Sequence, residues 1–392
     1  MDDSQPAPRL SNLRMPALDG LRGLAILLVI PHNSSLVDGI ALHGAAYPLK
    51  ELLLIGWAGV QLFFVLSGFL ITGALLDSQD ASNYYSSFYA RRALRILPLY
   101  YGMLIASFVI LGPLGVLTEE MLGTAHSQVW LWTFLSNWTS GSDEAKGFSH
   151  FWSLAVEEQF YLLWPLALRR MSAPNVLRLG LAIAVAALVI RTGMRLAGSS
   201  PDALYEFTIC RMDALALGAA AAAAMRMPAW QTAIARSLPR LPWIALVLFL
   251  AGVPLTHDYA RTGFETQTWG QSMLAVIFTV MVLAGARPPD ERPNWFVRVF
   301  SWGPLRSVGK YSYAMYVFHN PLHKWVGLRL LGPYAAKPSA TIEIAYAVAL
   351  VLASYVIAWL SFHLYEQHFL RLKRYFVPEH TGPRRLLDAS GA

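Results

Sequence analysis

His32 stands inside an apolar stretch that begins after Arg22, and Glu157 and Glu158 ride into a second apolar stretch within FSHFWSLAVEEQFYLLWP at 148–165. Ionisable side chains at membrane depth are costly, so a chain that keeps them there uses them. A neutral imidazole can take a proton from a hydroxyl without being a standing charge. On a helix rising about 1.5 Å per residue, the ten steps from Arg22 to His32 lift the ring about 15 Å, which predicts a position near mid-bilayer. Pro31, directly before it, predicts a kink that frees the carbonyl of Leu27 and can open a polar cavity. A histidine hydrogen-bonded to a neighbouring helix for packing alone is the plainer alternative.

Two further stretches have spacings with chemical meaning. In YARRALRILPLYY at 89–101, Arg92 and Arg95 are three apart and Arg91 and Arg95 four apart, so one helical turn brings at least two guanidinia onto a face. Permanently charged planar forks suit phosphates, although the same cluster could serve only as a topology anchor. In the glutamate run, Ser153, Glu157 and Tyr161 follow one another at i,i+4 and share a face. Glu158 is turned about 100° away, and the spacing predicts that it points elsewhere. Glutamate is almost never buried unpaired, so Glu157 and Ser153 read as an acceptor-facing or base-orienting pair, against a solvated helix end.

The elements that must carry these residues are membrane helices. Of 392 residues, 55% are hydrophobic and 14% charged, with a mean hydropathy of +0.42, where a soluble domain carries about a quarter charged. Ten apolar segments are long enough to cross: 20–38, 52–76, 97–117, 152–168, 179–197, 208–225, 242–257, 270–286, 311–331 and 342–365. The stretch 128–138 is aromatic but too short, and reads as re-entrant or interfacial. The expectation is an all-α polytopic membrane protein of about ten helices. Residues 1–17 form an N-terminal cytoplasmic segment, 18–376 one membrane domain and 377–392 a polar cytoplasmic tail.

Most of the 31 lysines and arginines fall on the N-terminal side of the membrane, which predicts an inner-membrane protein with both termini cytoplasmic. The net charge of +7 follows from these loops and implies no nucleic acid. A single cysteine, Cys210, excludes an intrachain disulfide. The first apolar stretch lacks a small-residue cleavage site, so it reads as a retained helix rather than a signal peptide.

Taken together, LDGLRGLAILLVIPHN at 18–33, GWAGVQLFFVLSGFLIT at 56–72, FYARRALRILPLYY at 88–101, the SLAVEEQFYLLWP run, CRMDALALGA at 210–219, GKYSYAMYVFHNPL at 309–322 and the terminal YEQHF resemble the acyltransferase-3 family of integral membrane O-acyltransferases. The resemblance implies a ten-helix enzyme that moves an acyl group, most often acetyl, from cytoplasmic acyl-CoA to a hydroxyl of an extracytoplasmic saccharide or lipid-linked glycan. It implies that His32 matches the family's essential histidine, Arg22 its paired arginine, and Arg92 and Arg95 an RxxR pair that meets CoA phosphates. In many members ten residues separate the arginine from the histidine. Here there are nine, which rotates their relative direction by about 100°.

No metal is expected, and the partners are acyl-CoA, the glycan and membrane lipid. Arg211 and Asp213 read as a possible structural pair. His319, with Tyr311 and Tyr313, and Glu366 are divided between a catalytic cavity and interhelical hydrogen bonds. The chain shows none of the added hydrolase-like domain found in some family members, so acceptor handling is expected of the membrane domain and its outer loops. The rival class is a proton-coupled transporter, which also needs intramembrane histidine and carboxylate but predicts inverted repeats that the sequence does not show.

Overall fold

The protein is seen in a computed structural model that describes residues 15–33, 55–139, 145, 147–257, 259–286, 294–330 and 340–379. Among these residues every extended element is a helix. We number the long ones α1 (Pro16–Asn33), α2 (Ala58–Asp77), α3 (Tyr84–Leu104), α4 (Trp152–Leu168), α5 (Ala173–Leu196), α6 (Thr208–Ala224), α7 (Leu241–Leu255), α8 (Gln271–Gly285), α9 (Gly303–Pro321) and α10 (Ala340–Ser361).

All ten expected segments contain helix, but fewer are long and apolar enough to cross a membrane. Six qualify: Ile55–Asp77, Tyr84–Leu111, Ala173–Leu196, Pro201–Ala224, Thr266–Gly285 and Thr341–Tyr375. A seventh is reached if Pro228–Ser237 and Leu241–Leu255, bent by 75°, form one span. The count of about ten is therefore not reproduced. The remainder, α1, α4 and α9, are short or diluted by polar residues, and they carry His32, Glu157, Glu158 and His319. The side chains with chemistry in them are what interrupt the apolar runs.

The apolar content of α2 lies on every side, and 72% of its span is buried, against 17% for the spans of α5 and α10. A helix apolar all round is either central or lipid-facing, and these values place α2 at the centre and the other two at the rim. Around α2 pack α1 and α6; α1 also lies along α9, and α6 along α5 and α8. Helices in lipid gain little from burying apolar surface and associate instead through close backbone approach. A Cβ on Gly68 would sit 1.9 Å from the Leu215 carbonyl oxygen, and one on Gly218 2.1 Å from that of Val65, so α2 and α6 cross at a reciprocal glycine contact.

A fully buried polar network ties α5, α6 and α8. Arg191 pairs with Asp213 at 2.9 Å, donates to the Thr268 carbonyl at 2.9 Å and to Ser272 Oγ at 2.7 Å, and Ser272 Oγ donates to Asp213 at 2.6 Å. Arg211 instead donates to the side-chain oxygens of Gln61 and Gln271. The expected Arg211–Asp213 pair is thus corrected. Residues two apart on a helix diverge by about 200°, so Arg211 reaches Gln61 on α2 and Asp213 reaches Arg191 on α5, while α8 meets both through Gln271 and Ser272.

The stretch 128–138 does not span: it forms a helix over Ala125–Trp132 and a 3-10 turn over Ser136–Trp138, held by Tyr100 and Tyr101 hydroxyls on the carbonyls of Leu131 and Trp132. The outer loop 38–51 and the tail beyond 379 lie outside the described residues, as do 287–293 of the loop 287–306.

Candidate active site

Five helices converge on a cavity of about 590 Å³. From α1 comes Arg22; from α2, Phe63, Phe64, Ser67 and Asp77; from α3, Phe88, Arg91, Arg92 and Arg95; from α4, Ser153, Glu157, Glu158 and Tyr161. Helix α9 adds Ser312, Tyr313 and Tyr316, and the segment after α10 adds Lys373, Val377 and Pro378. The volume lies in the range of small-molecule and cofactor sites, about 300–1,000 Å³. It extends from the α2–α3 turn, beside Asp77 and Ser87, to Ser153 and Tyr316.

The structure therefore gathers Arg22, Arg91, Arg92, Arg95, Ser153 and Glu157 on one wall-to-wall surface, as their spacings suggested. Glu157 accepts a hydrogen bond of 2.6 Å from Ser67 Oγ, and the Arg92 guanidinium lies 4.4 Å from the centre of the Tyr161 ring. Ser153 Oγ and the Tyr316 hydroxyl are 2.6 Å apart. Both hydroxyls reach the His150 carbonyl, Tyr316 at 2.8 Å and Ser153 at 3.3 Å, so either can donate to the other. Tyr313 donates to the Ile96 carbonyl at 2.8 Å and fastens α9 onto the arginine-bearing helix.

Charge is unbalanced here. Arg22, Arg91, Arg92, Arg95 and Lys373 line the cavity with three carboxylates, Asp77, Glu157 and Glu158. Among the described residues, Asp77 is paired with Arg226 at 2.5 Å, and none of the five cations makes an ion pair. Arg92 Nε and Glu158 Oε1 are buried without a hydrogen-bond partner. Buried polar atoms are nearly always satisfied, so these mark places where a ligand would complete the bonding.

Two expectations are corrected. Glu158 does not point elsewhere: it lines the same cavity as Glu157, because the cavity wraps more than 100° of the α4 surface and so takes in two consecutive residues. Glu157 is not at an outer helix end either, since its partner Ser67 lies midway along Ile55–Asp77.

His32 is placed differently from its expected mid-membrane depth. It sits in the last described turn of α1, level with the start of α2, where a Cβ on Gly56 would meet the His32 Cβ at 2.6 Å. It is not among the residues lining the cavity. Between the two lies a polar layer that the sequence did not reveal. His319 Nδ1 is 2.6 Å from the Tyr316 carbonyl, which can only accept, so Nδ1 carries the proton. His319 Nε2 then accepts from Asn33 Nδ2 at 2.9 Å, next to His32.

His150 stacks edge-on against His319, with ring centres 4.7 Å apart, and Asn320 lies 3.2 Å from its Nδ1. Burial, reinforced by His319, holds His150 well below the usual histidine range. Tyr311, singled out with His319, faces instead a small crevice shared with Arg95 and Glu366, where Glu366 accepts from Ser361 at 3.0 Å.

Ser67, Tyr316, Asn33 and Lys373 escaped the sequence reading. Tyr316 alone left a trace, lying three residues before His319. Among the described residues no three His, Cys, Asp or Glu side chains are grouped so as to hold a metal ion.

Residues 15–363 match a family model described as an acyltransferase domain, the acyltransferase-3 type. Similar proteins include the peptidoglycan O-acetyltransferase OatA of Listeria monocytogenes, 27% identical over 91% of this chain and 56% of that protein. A Bacillus subtilis protein provisionally named a peptidoglycan O-acetyltransferase is 28% identical over 79% of this chain and 48% of its own length. A Staphylococcus aureus protein provisionally named an O-acetyltransferase is 26% identical over 78% and 50%. The chain spans about half the length of these relatives. No solved structure matches it.

Proposed function

The chain belongs to the acyltransferase-3 family, and from that premise we propose that it moves an acyl group, most simply acetyl, from cytoplasmic acyl-CoA to a hydroxyl of an extracytoplasmic saccharide. The observation that carries this reading is the cavity, in which five cations and two glutamates face a space that reaches the α2–α3 turn. A polyanionic donor answers that charge, and the relatives named for peptidoglycan point to a cell-wall glycan as acceptor. The protein then sits in the inner membrane with both termini and the α2–α3 end of the cavity cytoplasmic.

In this reading Arg91, Arg92, Arg95 and Arg22 hold the donor phosphates, and the pantetheine arm runs up the cavity toward Ser153 and Tyr316. Their hydroxyls, bonded to each other and to the His150 carbonyl, close the cavity at the end where the thioester would come to rest. The acceptor approaches from the His32 side. His32 takes the hydroxyl proton as the oxygen forms its bond to the carbonyl carbon; the carbon–sulfur bond breaks and CoA leaves as the thiolate, which is protonated in water. The Tyr316–His319–Asn33 layer stands between the two half-sites and must part for the hydroxyl to reach the carbonyl carbon. Glu157, bonded to Ser67, faces the arginines on the donor side.

The test is reconstitution in vesicles with acetyl-CoA carrying a labelled acetyl group on one side and a glycan acceptor on the other. Label should appear on a sugar hydroxyl, and CoA at a hundred times its Kd should stabilise the protein by about 2.7 kcal/mol. Absence of both would return the transporter reading to the front.

A further inference from the structure

After α10 the chain continues through Gln367–Arg371 and a 3-10 turn, Leu372–Tyr375, packed on α3, and then runs along the end of the cavity nearest the α2–α3 turn. Lys373, Val377 and Pro378 line that end together with Asp77, Ser78, Ser87, Phe88 and Arg91. The segment is latched to the residues just before α3. Asn83 Nδ2 donates to the Val377 carbonyl at 2.9 Å, the Glu379 amide donates to Asn83 Oδ1 at 2.9 Å, and the Ser82 amide donates to the Glu379 carbonyl at 2.9 Å.

Asn83 is the residue that precedes α3, where an asparagine ordinarily bonds the first free amides of its own helix. Here it makes no such cap, and its amide is turned wholly to the C-terminal segment. Lys373 makes no ion pair among the described residues, although three arginines of α3 share its cavity. Five cations around two glutamates leave a net positive charge that a bound anion would offset.

We propose that residues 373–379 are part of the donor site: Lys373 is a further phosphate ligand, and the segment beyond it is a strap, latched by Asn83, that closes over the bound donor and slows its exchange. The donor's identity rests on the acyl-CoA reading above; the strap rests on the latch and the mouth. A donor reaching Arg92 from the α2–α3 end passes beside the strap. Its phosphates would then meet Lys373 on one side and Arg91 on the other.

Three measurements on the full chain in lipid vesicles test this. First, Cys210 is buried, so in a Ser87→Cys protein the new thiol reports the mouth without any donor. Its alkylation by a charged maleimide should speed up several-fold when Asn83→Ala is added, and partly with Asn83→Asp, which keeps an acceptor for Glu379 and loses the donor to Val377. Second, with CoA as the probe, Asn83→Ala removes two hydrogen bonds and should raise the dissociation rate roughly tenfold at an unchanged melting temperature. Third, Lys373→Ala should weaken CoA binding roughly tenfold and leave binding of acetyl-pantetheine, which lacks the nucleotide phosphates, unaltered.

Equal alkylation rates with and without the latch overturn the strap. Equal losses of CoA and pantetheine binding in Lys373→Ala overturn the phosphate role. Faster alkylation in a protein that binds no CoA supports the strap and overturns the donor assignment instead.

Discussion

Ser67 Oγ donates to Glu157 Oε1 over 2.6 Å, joining the middle of α2 to α4 within a cavity whose other walls carry arginine. The bond occupies one carboxylate oxygen of Glu157 and fixes its direction. Glu158, one residue on, has an oxygen buried with no partner. The two glutamates therefore differ in what a neutral isostere would remove. Glu157→Gln keeps the shape but loses the charge that faces the arginines, so acyl transfer should fall at least tenfold. Glu158→Gln should fall comparably, since its free oxygen is the one available to a ligand. Rates of both variants at saturating acyl-CoA check this; a wild-type rate in either removes that residue from the site.

For His32→Ala the structure separates two quantities. The side chain does not line the donor cavity, so CoA affinity should hold within twofold. General-base assistance is worth roughly 10²–10⁴ in rate, so acyl transfer should drop by that factor. Isothermal titration with CoA beside an acyl-transfer assay separates them, and loss of CoA binding in the variant would place His32 in the donor site.

Arg92→Ala and Arg95→Ala should each weaken CoA binding about tenfold, since a charge-assisted hydrogen bond contributes about 1.5–3 kcal/mol. Lysine at either position should rescue only in part, because it cannot form the two-pronged contact. Unchanged CoA affinity in the double variant would make these arginines topology anchors.

His150 gives a pH dependence of stability. Its folded-state value is lowered by burial, so the unfolded chain takes up a proton near pH 6.5 that the folded chain refuses. Its contribution is complete above about pH 6.5 and declines below it, by at most about 1.4 kcal/mol for each pH unit. Melting curves at pH 7.5, 6.5 and 5.5 should show the decline, and His150→Gln should flatten it.

Asp213→Ala leaves the Arg191 guanidinium buried without its carboxylate. Removing one partner of a buried pair costs about 3–5 kcal/mol, so thermal stability in detergent should fall sharply. Asp213→Asn, which still accepts from Ser272, should lose less.

The membrane class, the helical segments and the arginines, Ser153 and Glu157 of the cavity were legible in the chain itself. Apolar runs interrupted by Arg22, His32 and Glu157 declare their own exceptions, because ionisable groups are rare in such runs and i,i+3 and i,i+4 spacing is enough to put Arg91, Arg92 and Arg95, or Ser153, Glu157 and Tyr161, on a common face. Depth and partnership were not legible. Arg211 reaches Gln61 on α2 while Asp213 reaches Arg191 on α5, and Glu158 faces the cavity despite its phase, since the width of a cavity is a property of several packed helices and not of one. Likewise Ser67 reaches Glu157 across 90 residues, Asn33 reaches His319 across 286, and Asn83 latches Val377 across 294. Helical periodicity fixes direction only within a single element, so which faces meet, at what level, and what stands between His32 and the donor cavity were decided by tertiary packing alone.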